Sequence, residues 1–306
     1  MDGRGDEAEV PLEVWGSGGQ RSKAGRRGGV VYREAGPWSP TVLALLRHLE
    51  REGFTGAPRV VGSGFAEDGR EMVAYVPGAS PQPHAWAEDA VADVGTLLRD
   101  LHTATASFEP PPAAFWRPWF GRDLPGSQPV IGHCDTGPWN IIAGNGRPAA
   151  LVDFEFAGPV DAVWELAQAT WLNAQLHDDD VAERHGLPSP AVRARQARLI
   201  LDGYGLAARQ REDFVDKMIA FAVHSARAEA IEFAVTPETT AGVTGTGFPV
   251  AWAITWRVRS ASWTHPPVPA PAGDRLAGGT GASDSRGRGS GRDRAHGTGF
   301  PERREL

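Results

Sequence analysis

The sequence predicts an α+β protein in two parts, a small β-rich one followed by a larger helical one. Three observations carry this. β-Branched and aromatic runs cluster before residue 78, apolar residues at helical spacing dominate after it, and a hairpin-like segment at 141–153 interrupts the helices. A chain of 306 residues, 41% hydrophobic and 23% charged, has the composition of an ordinary globular enzyme with ample room for a buried core.

The first strands are expected at VVYRE (30–34) and REMVAYV (70–76), both bounded by turn residues. Between them Ser39-Pro40 is expected to cap and open a helix. Its buried stripe is Val42, Leu45, Leu46 and Leu49, and Gly53 ends it. Val76-Pro77-Gly78 then breaks the chain. Ala90, Val94, Leu97, Leu98 and Leu101 form one face of the next helix, and further helices are expected near 161–177, 191–206, 211–235 and 249–263.

Composition excludes several function classes. A lone cysteine, Cys134, cannot build a disulfide scaffold or a CxxC zinc site and suits a reducing, cytoplasmic location. No apolar run approaches the roughly 18 residues of a membrane span, and MDGRGDEAEV is not a secretory leader. Nine of the 38 Gly and five of the 25 Pro fall in a Gly/Pro/Arg-rich tail, 265–306, expected to be disordered, as are residues 1–11. The tail's RGRGSGR could track a phosphate backbone. However, its seven Arg face five acids, so it reads as solvated chain. Residues 30–264 hold 19 Lys/Arg against 28 Asp/Glu, a net of −9. That balance argues against nucleic acid as a partner and is compatible with a cationic small molecule.

The chemistry gathers in Gly132-His133-Cys134-Asp135-Thr136-Gly137-Pro138-Trp139-Asn140, followed by IIAGNGRPAALVDFE. Asn145-Gly146 between two apolar runs is a hairpin signal, since both residues tolerate positive φ. Folding there pairs 141–143 with 150–152 and brings Asn140 and Asp153 to the open end, beside the loop holding Asp135. Oxygen ligands of this kind suit Mg2+, which takes one or two protein ligands plus substrate phosphates. Asp135 suits a general base for a substrate hydroxyl. His133, grouped with it as a candidate catalytic residue, is expected to orient the loop through a hydrogen bond. From residue frequencies the pattern H-x-D-x4-N is expected by chance only about 0.005 times in this chain, so it is not incidental.

H-x-D-x4-N followed by D-F-E after a short hairpin resembles the aminoglycoside phosphotransferase family, a phosphotransferase enzyme family with the protein-kinase-like fold. GPVDAVWELAQA (158–169), YVPG (75–78), LLRDLH (97–102) and ILDGYGL (200–206) resemble further family segments, so the likeness spans roughly 12–235. The resemblance implies a nucleotide-binding lobe at 12–78 and a helical catalytic lobe at 79–264. It implies ATP (or GTP) and Mg2+, and transfer of phosphate to a hydroxyl of an aminoglycoside-like molecule or another amino alcohol or sugar. It makes Asp135 the base, puts Asn140 and Asp153 on magnesium, and gives adenine to the backbone of Ala74, Tyr75 and Val76. The family's phosphate-binding lysine falls at Arg33, which keeps the charge but changes geometry and reach.

Two further departures stand out. Family members carry a Glu early in the helix after that strand; here the neighbourhood is Thr41-Val42-Leu43, and Glu34, Glu50 and Glu52 are the nearest acids. The stretch Gly16-Ser17-Gly18-Gly19 lies where phosphates would be covered, but it is not G-x-G-x-x-G. These departures keep an alternative open, a kinase-fold protein that binds nucleotide or ligand with weak or no catalysis. Among other residues, His102 is expected to cap its helix, and Asp161 and Glu165 to stabilise a helix start. Trp139 and Trp164 are expected in the core, Cys134 as a buried spacer, and Asp178–Asp180 in a solvated loop or helix start. Glu155 is not assigned to the site, although contact with metal or substrate is open to it.

Overall fold

A computed structural model describes residues 13–15 and 24–232 of the chain. The glycine stretch at 16–19, the helix expected near 249–263 and both segments expected to be disordered lie outside the described residues.

Five strands form one antiparallel sheet, β1 (Glu13–Trp15), β2 (Ala24–Arg27), β3 (Val30–Arg33), β4 (Val60–Phe65) and β5 (Glu71–Ala74), in the order β1-β2-β3-β5-β4. Helix α1 (Ser39–Arg51) connects β3 to β4 and buries Val42, Leu43, Leu45, Leu46 and Leu49. The expected strand–helix–strand order omits β4. Its sequence, VVGSGF, carries Gly62 and Gly64 at φ +56 and +91, and its register shifts against β5. Glycines that bulge a strand remove the alternation by which strands are recognised. Ser39 is not the cap it was expected to be: Trp38 is the N-cap, and the Ser39 hydroxyl accepts the Gly36 amide at 2.8 Å.

The larger lobe is built on α2 (Ala92–Thr105), α3 (Ala162–Asn173), α4 (Asp179–Arg184), α5 (Pro190–Tyr204) and α6 (Phe214–Glu232). All twelve residues of α3 are buried, so it is the lobe's central helix. Helices α2 and α5 approach until their backbones nearly touch: a Cβ on Gly95 would lie 2.0 Å from the Ile200 carbonyl, and one on Gly203 1.9 Å from that of Ala92. Among the described residues no helix is long and apolar enough to cross a membrane.

Two short antiparallel pairs complete the lobe: β6 (Pro129–Gly132) with β9 (Gly158–Asp161), and β7 (Ile141–Gly144) with β8 (Arg147–Leu151). The first pair was not expected. The second is the hairpin, turning at Asn145 and Gly146 with φ +51 and +77. Its register is one residue earlier than expected, Ile141 facing Leu151 and Ile142 facing Ala150, with a shift before Ala143 faces Pro148.

Candidate active site

Polar side chains of α3 hold the loop between β6 and β7 by its backbone. Glu165, fully buried, accepts the Cys134 amide at 2.6 Å and His102 Nε2 at 2.7 Å. Gln168 accepts both the amide and the hydroxyl of Thr136, and Asn173 donates to the Thr136 carbonyl at 2.8 Å. Burial alone would raise the Glu165 pKa. The bonds from His102 and the Cys134 amide outweigh it and hold the carboxylate below its ordinary value. His102 in turn meets the Tyr204 hydroxyl at 2.8 Å, so it is not a solvent-facing helix cap. Burial, with help from Glu165 and Asp161, raises that phenol to about 12. Asp161 does cap α3, accepting the amides of Val163 and Trp164.

The same grip shapes the loop's two unusual residues. Cys134 has φ +66 and is completely buried, which pushes its thiol well above the ordinary value and removes it as a nucleophile. His133 is also fully buried: Nε2–H donates to the Val152 carbonyl at 2.8 Å, and Nδ1 accepts the Asp135 amide at 3.2 Å. Burial lowers its pKa, and both nitrogens are engaged with backbone. The ring thus ties the backbone of Asp135 to that of Val152.

Asp135 and Asn140 meet directly. The Asn140 carboxamide donates to Asp135 Oδ2 at 2.8 Å and to the Asp135 carbonyl at 3.0 Å. Two acceptors fix the amide's orientation and leave the carboxamide oxygen as the atom a cation would meet. Backbone pairing of Val152 N–H with the Asn140 carbonyl, 2.9 Å, brings Asp153 to the same end of the hairpin. Asp153 is left-handed, at φ +66 and ψ +60, a conformation that costs energy in a non-glycine residue and clusters at functional sites. One carboxylate and one carboxamide oxygen match what Mg2+ carried by phosphates requires. Among the described residues no group of three or more His, Cys, Asp or Glu forms a self-sufficient metal cage.

From the smaller lobe, Arg33 at the end of β3 reaches across and hydrogen-bonds Asp153. It also lies 3.8 Å from Glu155 and faces Glu71 across the ladder. Burial opposes its charge, but Asp153, Glu71 and Glu155 together raise its pKa further above the ordinary value. None of the three acids weighed from sequence is a partner of Arg33, and Glu50 instead lies 3.9 Å from Arg59. The Ala74 and Tyr75 amides are already given to the carbonyls of Arg59 and Gly29, at 2.7 and 2.8 Å. Beyond them the chain is tied to the hairpin: Ala143 N–H donates to the Ala79 carbonyl and Ser80 to that of Pro138.

Several residues of the site carry no motif. Arg122 donates to the carbonyls of Arg117, Phe156, Ala157 and Pro159, tying down the segment that leads away from Asp153. Arg117 sits against Glu155 at 2.5 Å. Glu165 and Gln168 lie within GPVDAVWELAQA, and they share a further signal with Asn173: they are polar residues in a helix that is buried throughout. Trp164 is core, as expected, with its Nε1 on the Pro125 carbonyl, and Asp178 caps α4. A separate cavity of ≈ 420 Å3 lies behind α1, lined by Arg47, His48, Arg51 and Phe108 among others, and contains none of the site residues.

A model of the phosphotransferase enzyme family matches residues 105–187, which include the loop, the hairpin and α3. The trifolitoxin immunity protein of Rhizobium leguminosarum bv. trifolii is 58% identical over 251 residues, 82% of this chain and 94% of that one. Among solved structures, the amicoumacin kinase hAmiN in complex with AMP-PNP, Ca2+ and Ami has a TM-score of 0.59 at 12% identity, covering 82% of this chain and 89% of its own. A choline/ethanolamine kinase family protein from Mesorhizobium loti has a TM-score of 0.54 at 17% identity, covering 86% and 90%. Both likenesses are of the protein-kinase-like fold.

Proposed function

The chain belongs to the phosphotransferase enzyme family, and from that premise we propose that it transfers a phosphoryl group from Mg-ATP to a hydroxyl of a small molecule. The observation that carries this reading is the Asn140–Asp135 hydrogen bond beside a left-handed Asp153. In it, Asp135 accepts the proton of the attacking hydroxyl. Asn140 holds that carboxylate in place with its nitrogen. Its oxygen, with the Asp153 carboxylate, would hold magnesium, which neutralises phosphate charge when bound. Arg33 serves the phosphates, and the backbone at Ala74–Val76 the adenine. With the first two amides engaged by the Arg59 and Gly29 carbonyls, Val76 is the residue of the three best suited to donate.

The relative's name points to an acceptor class. We take the acceptor to be a toxic compound bearing a hydroxyl, whose phosphorylation protects the cell; the −9 charge of residues 30–264 suits a cationic one. The test is turnover of Mg-ATP against a panel of hydroxyl compounds that includes trifolitoxin, aminoglycosides and amino alcohols, read by mass spectrometry. Gain of one phosphoryl group on a panel member, lost in Asp135→Asn, supports the reading. No transfer to any compound, with ligand binding retained, favours a second reading. In that reading the protein protects by binding alone, and the contact of Arg33 with Asp153 is its resting arrangement.

A further inference from the structure

Helix α1 has no acidic residue in its first turn, and its one acid, Glu50, lies in the last turn against Arg59, so no carboxylate at the start of that helix holds a phosphate-binding cation. Arg33 nevertheless has carboxylates around it. Asp153 is in direct contact, Glu155 is 3.8 Å away, and Glu71 lies opposite in the ladder. These three are not equivalent. Asp153 is the residue suited to magnesium, and its carboxylate cannot serve a cation and Arg33 with the same oxygens. Glu71 belongs to the same sheet as Arg33 and cannot relate it to the other lobe.

Glu155 differs from both. Its side chain is only 16% exposed, and Oε2 is shared between Arg33 and Arg117, the latter at 2.5 Å. Arg117 is itself fixed by two aromatic faces, 4.7 Å from the Trp38 ring and 4.3 Å from that of Phe156. Trp38 is the N-cap of α1, and Phe156 follows Glu155 by one residue. The start of α1 is thereby joined, through Arg117, to a carboxylate facing Arg33. A planar guanidinium can stack on rings and fork a carboxylate at once, which an ammonium cannot.

We propose that Glu155, braced by Arg117 against Trp38 and Phe156, is the positioning carboxylate for Arg33 in this chain, replacing from the catalytic lobe the acid that the first turn of α1 lacks. The inference rests on the phosphoryl-transfer reading. When nucleotide and metal claim Asp153, Glu155 keeps Arg33 aimed at the phosphates. Its effect is exerted through Arg33, so Glu155 is not a ligand of either.

A double-mutant cycle tests this. Binding of AMP-PNP with Mg2+ is measured calorimetrically for the wild type, Glu155→Gln, Arg33→Ala and the double variant, with thermal unfolding followed in parallel. Glu155→Gln should weaken binding about tenfold in the wild type and less than about twofold when Arg33 is already alanine, as expected for coupled neighbours. Arg117→Met should reproduce part of the loss, and Glu155→Asp should recover part of it. Equal weakening by Glu155→Gln in both backgrounds overturns the proposal, since Glu155 would then act on the metal or the fold. So does a Glu155→Gln variant that binds as the wild type does. A wild-type protein that binds no nucleotide overturns the phosphoryl-transfer reading itself, a different outcome from binding without coupling.

Discussion

Asn140 donates its carboxamide to the carboxylate of Asp135 across 2.8 Å and to the carbonyl of the same residue across 3.0 Å. One side chain thus fixes both the position of Asp135 and the backbone that carries it. Asp135→Asn should lower turnover by about 10²–10⁴, the range for loss of a general base, while leaving nucleotide affinity within a few-fold. Asn140→Ala should lower turnover too, but it should also raise the Mg2+ concentration needed for half-maximal rate. Steady-state kinetics at varied Mg2+ separates the two. Turnover by Asp135→Asn within a few-fold of wild type would remove Asp135 from the base role.

Glu165 is buried without solvent and joins α2 to the loop through His102 and the Cys134 amide. Glu165→Ala leaves His102, the amide and a cavity unsatisfied, so unfolding free energy should fall by about 3–5 kcal/mol in urea denaturation. Glu165→Gln keeps one acceptor and should cost less. Because the folded carboxylate titrates below its ordinary value, its contribution is present above the unfolded pKa and is lost as pH falls through the folded one. The gap between wild type and Glu165→Gln should therefore narrow in acid.

Sequence patterns locate what depends on neighbours in the chain. The hairpin turn at Asn145-Gly146, α2, α3, α5 and the meeting of Asp135 with Asn140 all follow from local spacing. The alternation rule failed at β4, where glycines bend the strand, and at the β6/β9 pair, whose strands are four residues long and 26 residues apart between ends. The partners of Arg33 were invisible for a similar reason. Glu71 is related to it only by strand register, and Glu155 only by the crossing from one lobe to the other. Glu165 does stand in the first turn of α3, but nothing in its local spacing shows that its carboxylate turns inward to His102 and the Cys134 amide.

Gly95 sets two effects against each other. In a helix interior, alanine is favoured over glycine by about 1 kcal/mol, which alone would make Gly95→Ala stabilising. The added methyl, however, would lie 2.0 Å from the Ile200 carbonyl and 2.6 Å from the Tyr204 amide, both backbone. Neither can move without shifting α5 as a whole. Overpacking of this kind costs about 1–3 kcal/mol or more, so the variant should unfold at lower temperature than wild type. A raised melting temperature would mean that α2 and α5 lie farther apart.

His177 gives the stability an acid limb. Burial, and then the positive charge of Arg193 on α5 and of His185 after α4, lowers its pKa to about 3. The chain there is held in place, since Arg193 donates to the carbonyls of Gln175 and His177 at 2.9 and 2.7 Å. The unfolded imidazole takes up a proton near pH 6.5, whereas the folded one refuses it until about pH 3. The folded state is thus penalised progressively as pH falls between these values, by up to about 1.4 kcal/mol per pH unit, and not at all above them. His177→Gln removes the difference in proton uptake. Urea denaturation at pH 7 and pH 5 should show the wild type losing more stability than the variant on acidification. Parallel losses would place the titration elsewhere.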